Sequence, residues 1–272
     1  MKKIIFIDLD GTFFSDEREP TKANIDALAR TKAKGYEIVF ATGRAYPFIE
    51  SMNTLCGELS RYTIAGSGST IYDMKDKKIV HCTPMPKSAI EQICKLDHPK
   101  LAWFFHCPDG SFSNLENFPY QNNTSKHFTG PVGKFIKTKQ IHQVWFGSRD
   151  FDLINSMAPK IEKIPGIYIS NRHKSQTDPS FPQSGIAFYD ITSNGVSKGA
   201  GVKTICDLLG IPKKDRIAIG DDINDIPMFA EVGYSVAMGN AIADVKKAAN
   251  HITDDNNNDG VAKFLDLLLK KV

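Results

Sequence analysis

Five aspartates fall in two short clusters: Asp8 and Asp10 in Asp8-Leu9-Asp10-Gly11-Thr12, and Asp221, Asp222 and Asp225 in Gly220-Asp221-Asp222-Ile223-Asn224-Asp225. Each cluster directly follows an apolar run, Ile4-Ile5-Phe6-Ile7 in one case and Ile217-Ala218-Ile219 in the other. Carboxylates brought into contact must take up protons or bind a cation. No His or Cys stands beside either cluster, and hard oxygen donors without nitrogen or sulfur favour Mg²⁺. One Asp-x-Asp is an ordinary surface turn. Two acidic clusters, both after apolar runs, point to a metal site.

A metal held by carboxylates needs something to act on, and Lys198 suggests what. It stands in Gly195-Val196-Ser197-Lys198-Gly199, where a helix opens. The helix dipole disfavours a cation there, so a bound anion is the better explanation, and phosphate is the usual one. A third segment, Thr42-Gly43-Arg44, also follows a strand-like run and offers a hydroxyl, an exposed amide and a guanidinium. Thr42 and Gly43 suit phosphate oxygens.

The elements that would carry these residues alternate between strand and helix. Ile4–Ile7 reads as a parallel strand covered on both faces. After Pro20 a helix places Ile25, Leu28 and Ala29 on one face, with Gly35 in the C-terminal cap position. Strands are expected at Glu37–Ala41 and Tyr62–Ile64, the latter running into Gly66-Ser67-Gly68-Ser69, and a hairpin around Asp76-Lys77. From about Thr83 to Gln183 the pattern changes to Pro, Asn, His and aromatic residues. A helix is expected before Trp103 and another near Asp150–Lys163, with strands at Leu101–His106, Ile141–Phe146 and Ile167–Ser170.

Alternation returns with a strand at Ile186–Ile191 and a helix at Ser197–Leu209. Strands follow at Ile217–Ile219 and Tyr234–Ala237, then a closing helix bearing Val261, Phe264, Leu265 and Leu268. The expected fold is α/β: a doubly wound, Rossmann-like parallel-sheet core formed by residues 1–82 and 184–272. An α+β cap, residues 83–183, is inserted into it. In open α/β sheets ligands bind beyond the carboxyl ends of the strands, so the three motifs can meet at one site.

Composition narrows the partners. The 272 residues carry a net charge of +3, too little to steer nucleic acid or an anionic membrane surface. No apolar run reaches the roughly 18 residues of a membrane span, and the run after Met1 stops at Asp8, too early for a signal peptide. A cytoplasmic enzyme acting on a small phosphorylated metabolite is expected. The five cysteines are scattered without a Cys-x-x-Cys pair, which argues against a disulfide framework or a zinc site. Gly66-x-Gly68 lacks the third glycine of a dinucleotide fingerprint. Asp254–Gly260 lacks the central Gly and final Glu of a calcium loop and reads as a helix entrance.

Together, Asp8-x-Asp10-Gly11-Thr12, Thr42-Gly43-Arg44, Lys198 and Gly220-Asp221-Asp222-x-Asn224-Asp225 resemble the four motifs of the haloacid dehalogenase superfamily. The large insert, Val236–Ala241 and Asp259–Ala262 are similar to the Cof-type sugar-phosphate phosphatases with a type IIB cap. The resemblance implies a phosphoric monoester hydrolase in which Asp8 is the nucleophile and Asp10 the general acid/base. It implies that the Asp8 carboxylate, the Asp10 backbone carbonyl and Asp221 hold Mg²⁺, with Asn224 and Asp225 completing or supporting that shell. Thr42, Gly43, Lys198 and Asn224 would bind phosphate, with Arg44 in support. Two positions depart from the pattern: Ser67-Gly68 where Asn-Gly is common, and Phe13-Phe14 where Leu-Leu is common.

A phosphomutase or phosphotransferase could use the same aspartate. A receiver-type phospho-switch shares some of the ingredients but has neither the second aspartate nor a hundred-residue insert. Specificity is expected from the cap, where Trp103, His106, Trp145, Asn171, Arg172 and His173 suit a polyhydroxylated ligand. Trp103 and Trp145 are better suited to packing the cap core than to touching a ligand. Asn171-Arg172-His173, read as the loop after a strand, is the preferred contact segment.

Overall fold

The computed structural model of the chain describes residues 3–45, 48–49, 59–114, 125–127, 136–172 and 187–270. Its described strands form two sheets. The first, in spatial order, runs His251–Ile252 (β14), Tyr234–Ala237 (β13), Arg216–Gly220 (β12), Lys3–Ile7 (β1), Tyr36–Ala41 (β2), Tyr62–Ala65 (β3), Thr70–Asp73 (β4) and Lys78–Cys82 (β5). Pairing is parallel from β14 to β3, and β4 and β5 add an antiparallel hairpin edge. Ile4, Ile5, Phe6 and Ile7 are all fully buried, as an unbroken apolar run between two helical layers requires. Burial of each such side chain stabilises the fold by about 1.5–3 kcal/mol.

Helices α1 (Lys22–Ala33) and α5 (Gly260–Lys270) pack against each other, while α4 (Lys198–Leu209) buries Val202, Ile205 and Cys206. Helix α1 starts where Thr21 accepts the Asn24 amide at 3.2 Å and stops before Gly35, whose φ is +87°. From β1 the chain winds outward to β2 and β3, then later returns to the other side of β1 as β12, β13 and β14. The carboxyl ends of β1 and β12 therefore flank the topological switch point, where such sheets open a crevice.

The second sheet runs Ile167–Arg172 (β10), Ala187–Ser193 (β11), Gln143–Ser148 (β9), Ala102–Cys107 (β6), Gly110–Ser113 (β7) and Ser125–His127 (β8). It is antiparallel except between β7 and β8. One face buries Trp103, Phe105, Val144, Phe146, Tyr189 and Ile191 beneath α2 (Lys87–Cys94) and α3 (Phe151–Ile161). Asp150 caps α3 by accepting the Leu153 amide. A mixed α/β core carrying a separate, mainly antiparallel α+β insert is the architecture expected.

Two expectations are corrected. The sequence pattern puts the strand at Ile186–Ile191 in the parallel core, yet β11 pairs antiparallel with β9 and β10 and belongs to the insert. The chain thus rejoins the core sheet's layer after Ser193, not at residue 184. An all-buried strand reads the same whether a parallel sheet or the middle of a cap covers it. Strand β10 also runs through Arg172, so Asn171 and Arg172 lie in the strand, not in a loop beyond it. His173 lies outside the described residues.

Candidate active site

The first acidic motif leaves β1 with its backbone already fixed. The Asp8 amide donates to Ile219 O on β12, and the Phe13 amide returns to Asp8 O. The second motif leaves β12 beside it, so residues 213 positions apart in sequence meet. Oxygens of Asp8, Asp221 and Asp225 all lie within 4.8 Å of one another.

Gly11 permits that approach. Its φ is +77°, and a methyl group there would stand 2.5 Å from Asp221 Oδ2. Next to it Thr12 donates its hydroxyl to Asp221 Oδ1 at 2.6 Å.

Lys198, the first residue of α4, is almost wholly buried and points into the same cluster. Its Nζ lies 2.5 Å from Asp8 Oδ1 and 2.7 Å from Asp225 Oδ1. The anion inferred at this helix start is thus, in this structure, a pair of carboxylates. Burial works to lower the Lys198 pKa, but Asp225 and Asp8 outweigh it and raise it above the ordinary lysine value. Burial pushes Asp8 well above the usual carboxylate range; Lys198 opposes this, while Asp225 and Asp221 add to it. Burial, then Asp225, pushes Asp221 up to about 7.

Asp225 has both oxygens engaged. Oδ1 accepts from Lys198, and Oδ2 accepts the amides of Asp221 and Asp222 at 2.9 and 3.1 Å. It is the clamp of the loop, which leaves Asp8 and Asp221 as the carboxylates with capacity for a cation. Hard oxygen donors whose protons are held by burial and by the crowding of their charges fit a divalent metal such as Mg²⁺.

The remaining expected residues surround this centre. Asp10 is exposed and held at both oxygens by Arg44, with Nε at 2.7 Å from Oδ2. Arg44 therefore orients Asp10. Thr42 is fully buried, and its hydroxyl accepts the Arg44 amide at 3.0 Å. Gly43 faces Asn224, Ser67 and Asp190: a methyl group there would lie 3.8 Å from Asn224 Nδ2 and 3.5 Å from Ser67 Oγ.

Ser67 has a φ of +55°, a conformation in which Asn is several-fold enriched over other L-residues. That accounts for the Asn-Gly preference noted at this point. Of the cap residues, Trp103 packs the insert's core and donates Nε1 to Asp97. Trp145 lies on the opposite face, 6.3 Å from Phe48 of the core. His106 is buried against Ser111, where burial and then His142 hold its pKa well below the ordinary value. Asn171 pairs with Asp190, and β10 comes within 8 Å (Cα to Cα) of the Ile223–Asp225 turn.

Some residues here were not singled out from sequence. Gln143 reaches from β9 to donate to Gly43 O at 3.1 Å. Asn240 donates to Gly11 O, and Asn256 donates to Phe14 O while its amide meets Asn240 Oδ1. The helix entrance at 254–260 thereby braces the first motif. Asn240 stood within the recognised Val236–Ala241 segment; Gln143 and Asp190 carry no local signal.

The family model for haloacid dehalogenase-like hydrolases matches residues 5–265. The chain is 28% identical to a 5-amino-6-(5-phospho-D-ribitylamino)uracil phosphatase of Bacillus subtilis, over 97% of this chain and 94% of that protein. It is 27% identical to a pyridoxal phosphate phosphatase of Escherichia coli, covering 97% of each. Among solved structures, the subclass IIB sugar phosphatase BT4131 superposes with a TM-score of 0.80 at 23% identity over 98% of each chain. A haloacid dehalogenase-like hydrolase of B. subtilis gives 0.82 at 20%, over 98% of this chain and 99% of that one. The acidic cluster at the switch point, the buried lysine bridging it and the inserted sheet above therefore belong to a haloacid dehalogenase-like hydrolase, a phosphatase of the Cof-type branch with a type IIB cap.

Proposed function

We propose that this phosphatase hydrolyses small phosphate monoesters, sugar phosphates foremost, in a Mg²⁺-dependent reaction that passes through a phosphorylated Asp8. The observation that carries this reading is the buried Lys198 ammonium, 2.5 Å from Asp8 Oδ1 and shared with Asp225. It fixes the Asp8 side chain and supplies positive charge where a phosphoryl group would arrive. An Asp8 carboxylate oxygen attacks phosphorus, the ester P–O bond breaks, and Asp10 protonates the departing alkoxide. Water then attacks the phosphorus, its proton passes to Asp10, and the bond to Asp8 breaks to release inorganic phosphate.

Asp8, Asp221 and the Asp10 carbonyl are the groups that would hold Mg²⁺, which when bound supplies further positive charge against the phosphoryl oxygens. Thr42, Gly43 and Asn224 are assigned to the phosphate. Free thiols at Cys82, Cys94, Cys107 and Cys206 fit a reducing compartment, and we place the enzyme in the cytoplasm. Among the described residues no helix is long and apolar enough to cross a membrane.

Turnover of p-nitrophenyl phosphate tests the reading. It is expected to require Mg²⁺, to stop in excess EDTA and to be abolished by Asp8→Asn, which keeps the shape and removes the nucleophilic charge. Sustained turnover by Asp8→Asn would overturn it.

A further inference from the structure

Side chains alternate across the cap sheet, so one face is fixed by register. Asn171 on β10 pairs with Asp190 on β11, Asp190 with Trp145 on β9, and Trp145 with Phe104 on β6. These four form one cross-strand row on the face opposite the cap core. The Phe104 end is apolar, closed by Ala102 and Phe188. The Asp190 end reaches the core: a methyl group on Gly43 would stand 3.8 Å from Asp190 Oδ2. A neighbouring position on β9 carries Gln143, whose amide already binds Gly43 O.

Asp190 is 94% buried, and no hydrogen bond or charge acts on its carboxyl to offset that burial. Such a group destabilises a fold unless it serves something that arrives later. Around it stand buried polar atoms without partners among the described residues: Ser67 Oγ, Gln143 Oε1, Asn224 Oδ1 and Trp145 Nε1. Two come from turns of the core and two from β9 of the insert, which argues against a folding defect of either. Burial, unopposed by any charge, pushes Asp190 up to about 8, so near neutrality the carboxyl is protonated and both donates and accepts. A neutral acid can stand beside a phosphate dianion where a carboxylate would repel it.

We propose that Asp190 is a specificity-determining residue that hydrogen-bonds a hydroxyl on the carbon next to the one bearing the phosphate ester. The position follows from Gly43: a group beside the phosphate loop can reach only the first atoms of the leaving alcohol. This rests on the phosphatase reading above and adds to it which part of the substrate is read. Phosphate esters of polyols and glycosyl 1-phosphates carry such a hydroxyl; simple alkyl and aryl phosphates, and cyclic sugars phosphorylated next to the ring-oxygen carbon, do not.

The test compares kcat/KM for sn-glycerol 3-phosphate, 1-propyl phosphate and p-nitrophenyl phosphate in wild type, Asp190→Ala and Asp190→Asn. Wild type is expected to prefer the glycerol ester. Asp190→Ala is expected to lower kcat/KM on it by about tenfold or more, chiefly through KM, and to change the other two esters by less than about threefold. Asp190→Asn, neutral and similarly shaped, is expected to retain most of the preference. Thermal stability of Asp190→Ala is expected to equal or exceed that of wild type, because a carboxyl whose burial nothing offsets is removed. Equal losses on all three esters, no loss on any, or a marked fall in stability would overturn the assignment. Failure of wild type to turn over p-nitrophenyl phosphate would instead sink the phosphatase mechanism itself, so the two failures are distinct.

Discussion

At the scale of single residues, the site depends on compensating charge in a dry environment. Lys198 faces Asp8 and Asp225, all three buried, and removal of one member of such a set leaves charge uncompensated at a cost of about 3–5 kcal/mol. A cation at a helix start suggests from sequence alone that the helix would lose little without it. The buried pairs reverse that expectation. Lys198→Met should lower kcat/KM by about a hundredfold or more and also lower the melting temperature. The loss of stability should be smallest at low pH, where Asp8, whose pKa burial already raises, is neutral and needs no counter-charge. A variant as stable as wild type near pH 8 would contradict the pairing.

The carboxylates themselves set a second pH dependence. Asp221 rises from an ordinary 3.8 to about 7 in the folded metal-free protein. The folded state therefore keeps a proton that the unfolded chain releases. This contribution is present below the unfolded value and is lost as pH climbs toward 7. A metal needs the ionised form, so added MgCl₂ should raise the melting temperature more at about pH 8 than at about pH 5. An equal or larger shift at the lower pH would count against Asp221 as a ligand.

At the scale of elements, the strand ends bring the motifs together, and one glycine lets two of those elements touch. Gly68, in the loop after β3, has a φ of +106°, and a methyl group there would lie 2.0 Å from the carbonyl oxygen of Ser197, the cap residue of α4. Gly68→Ala should therefore push back the helix start that carries Lys198. About 1–3 kcal/mol of backbone strain, hence at least about 3 °C in melting temperature, should accompany a loss of activity. Gly195→Ala provides the comparison, since φ is +81° but nothing lies within 4 Å. It should show the dihedral cost alone, and equal effects of the two substitutions would show that the contact at Gly68 is unimportant.

The core elements were legible because their signals are local. The run Ile4–Ile7 ends at Asp8, and Ser197 caps α4 by accepting the Ala200 amide at 3.0 Å. Asp225 could be placed near the metal from its motif, but its part as a clamp on two amides and a lysine depends on loop geometry. Strand β11 was misplaced because all seven of its residues are buried, a pattern that does not reveal which sheet covers them. Gln143 and Asp190 were not visible at all. Their significance comes from cross-strand register and from a core loop a hundred or more residues distant.

At the scale of the whole molecule, chemistry and selection occupy different sheets. The parallel sheet holds Asp8, the acidic cluster and the Thr42-Gly43 segment at the carboxyl ends of its strands, the groups to which the proposed mechanism assigns the displacement and the phosphate. The inserted sheet lies over those ends, tied to them by Gln143 on Gly43 and Phe48 against Trp145. A roof of this kind excludes water from the reacting group and lets the leaving alcohol be read without altering the machinery beneath. The central claim is that the phosphoryl group rests on Asp8 between the two displacements. The most direct measurement is to mix Asp10→Asn enzyme with ³²P-labelled substrate and Mg²⁺, quench in acid within the first turnover, and map the label by peptide mass spectrometry. Without Asp10 to activate water, the label should accumulate on the peptide containing Asp8. Release of phosphate with no label on the protein, or label on any other residue, would contradict the account.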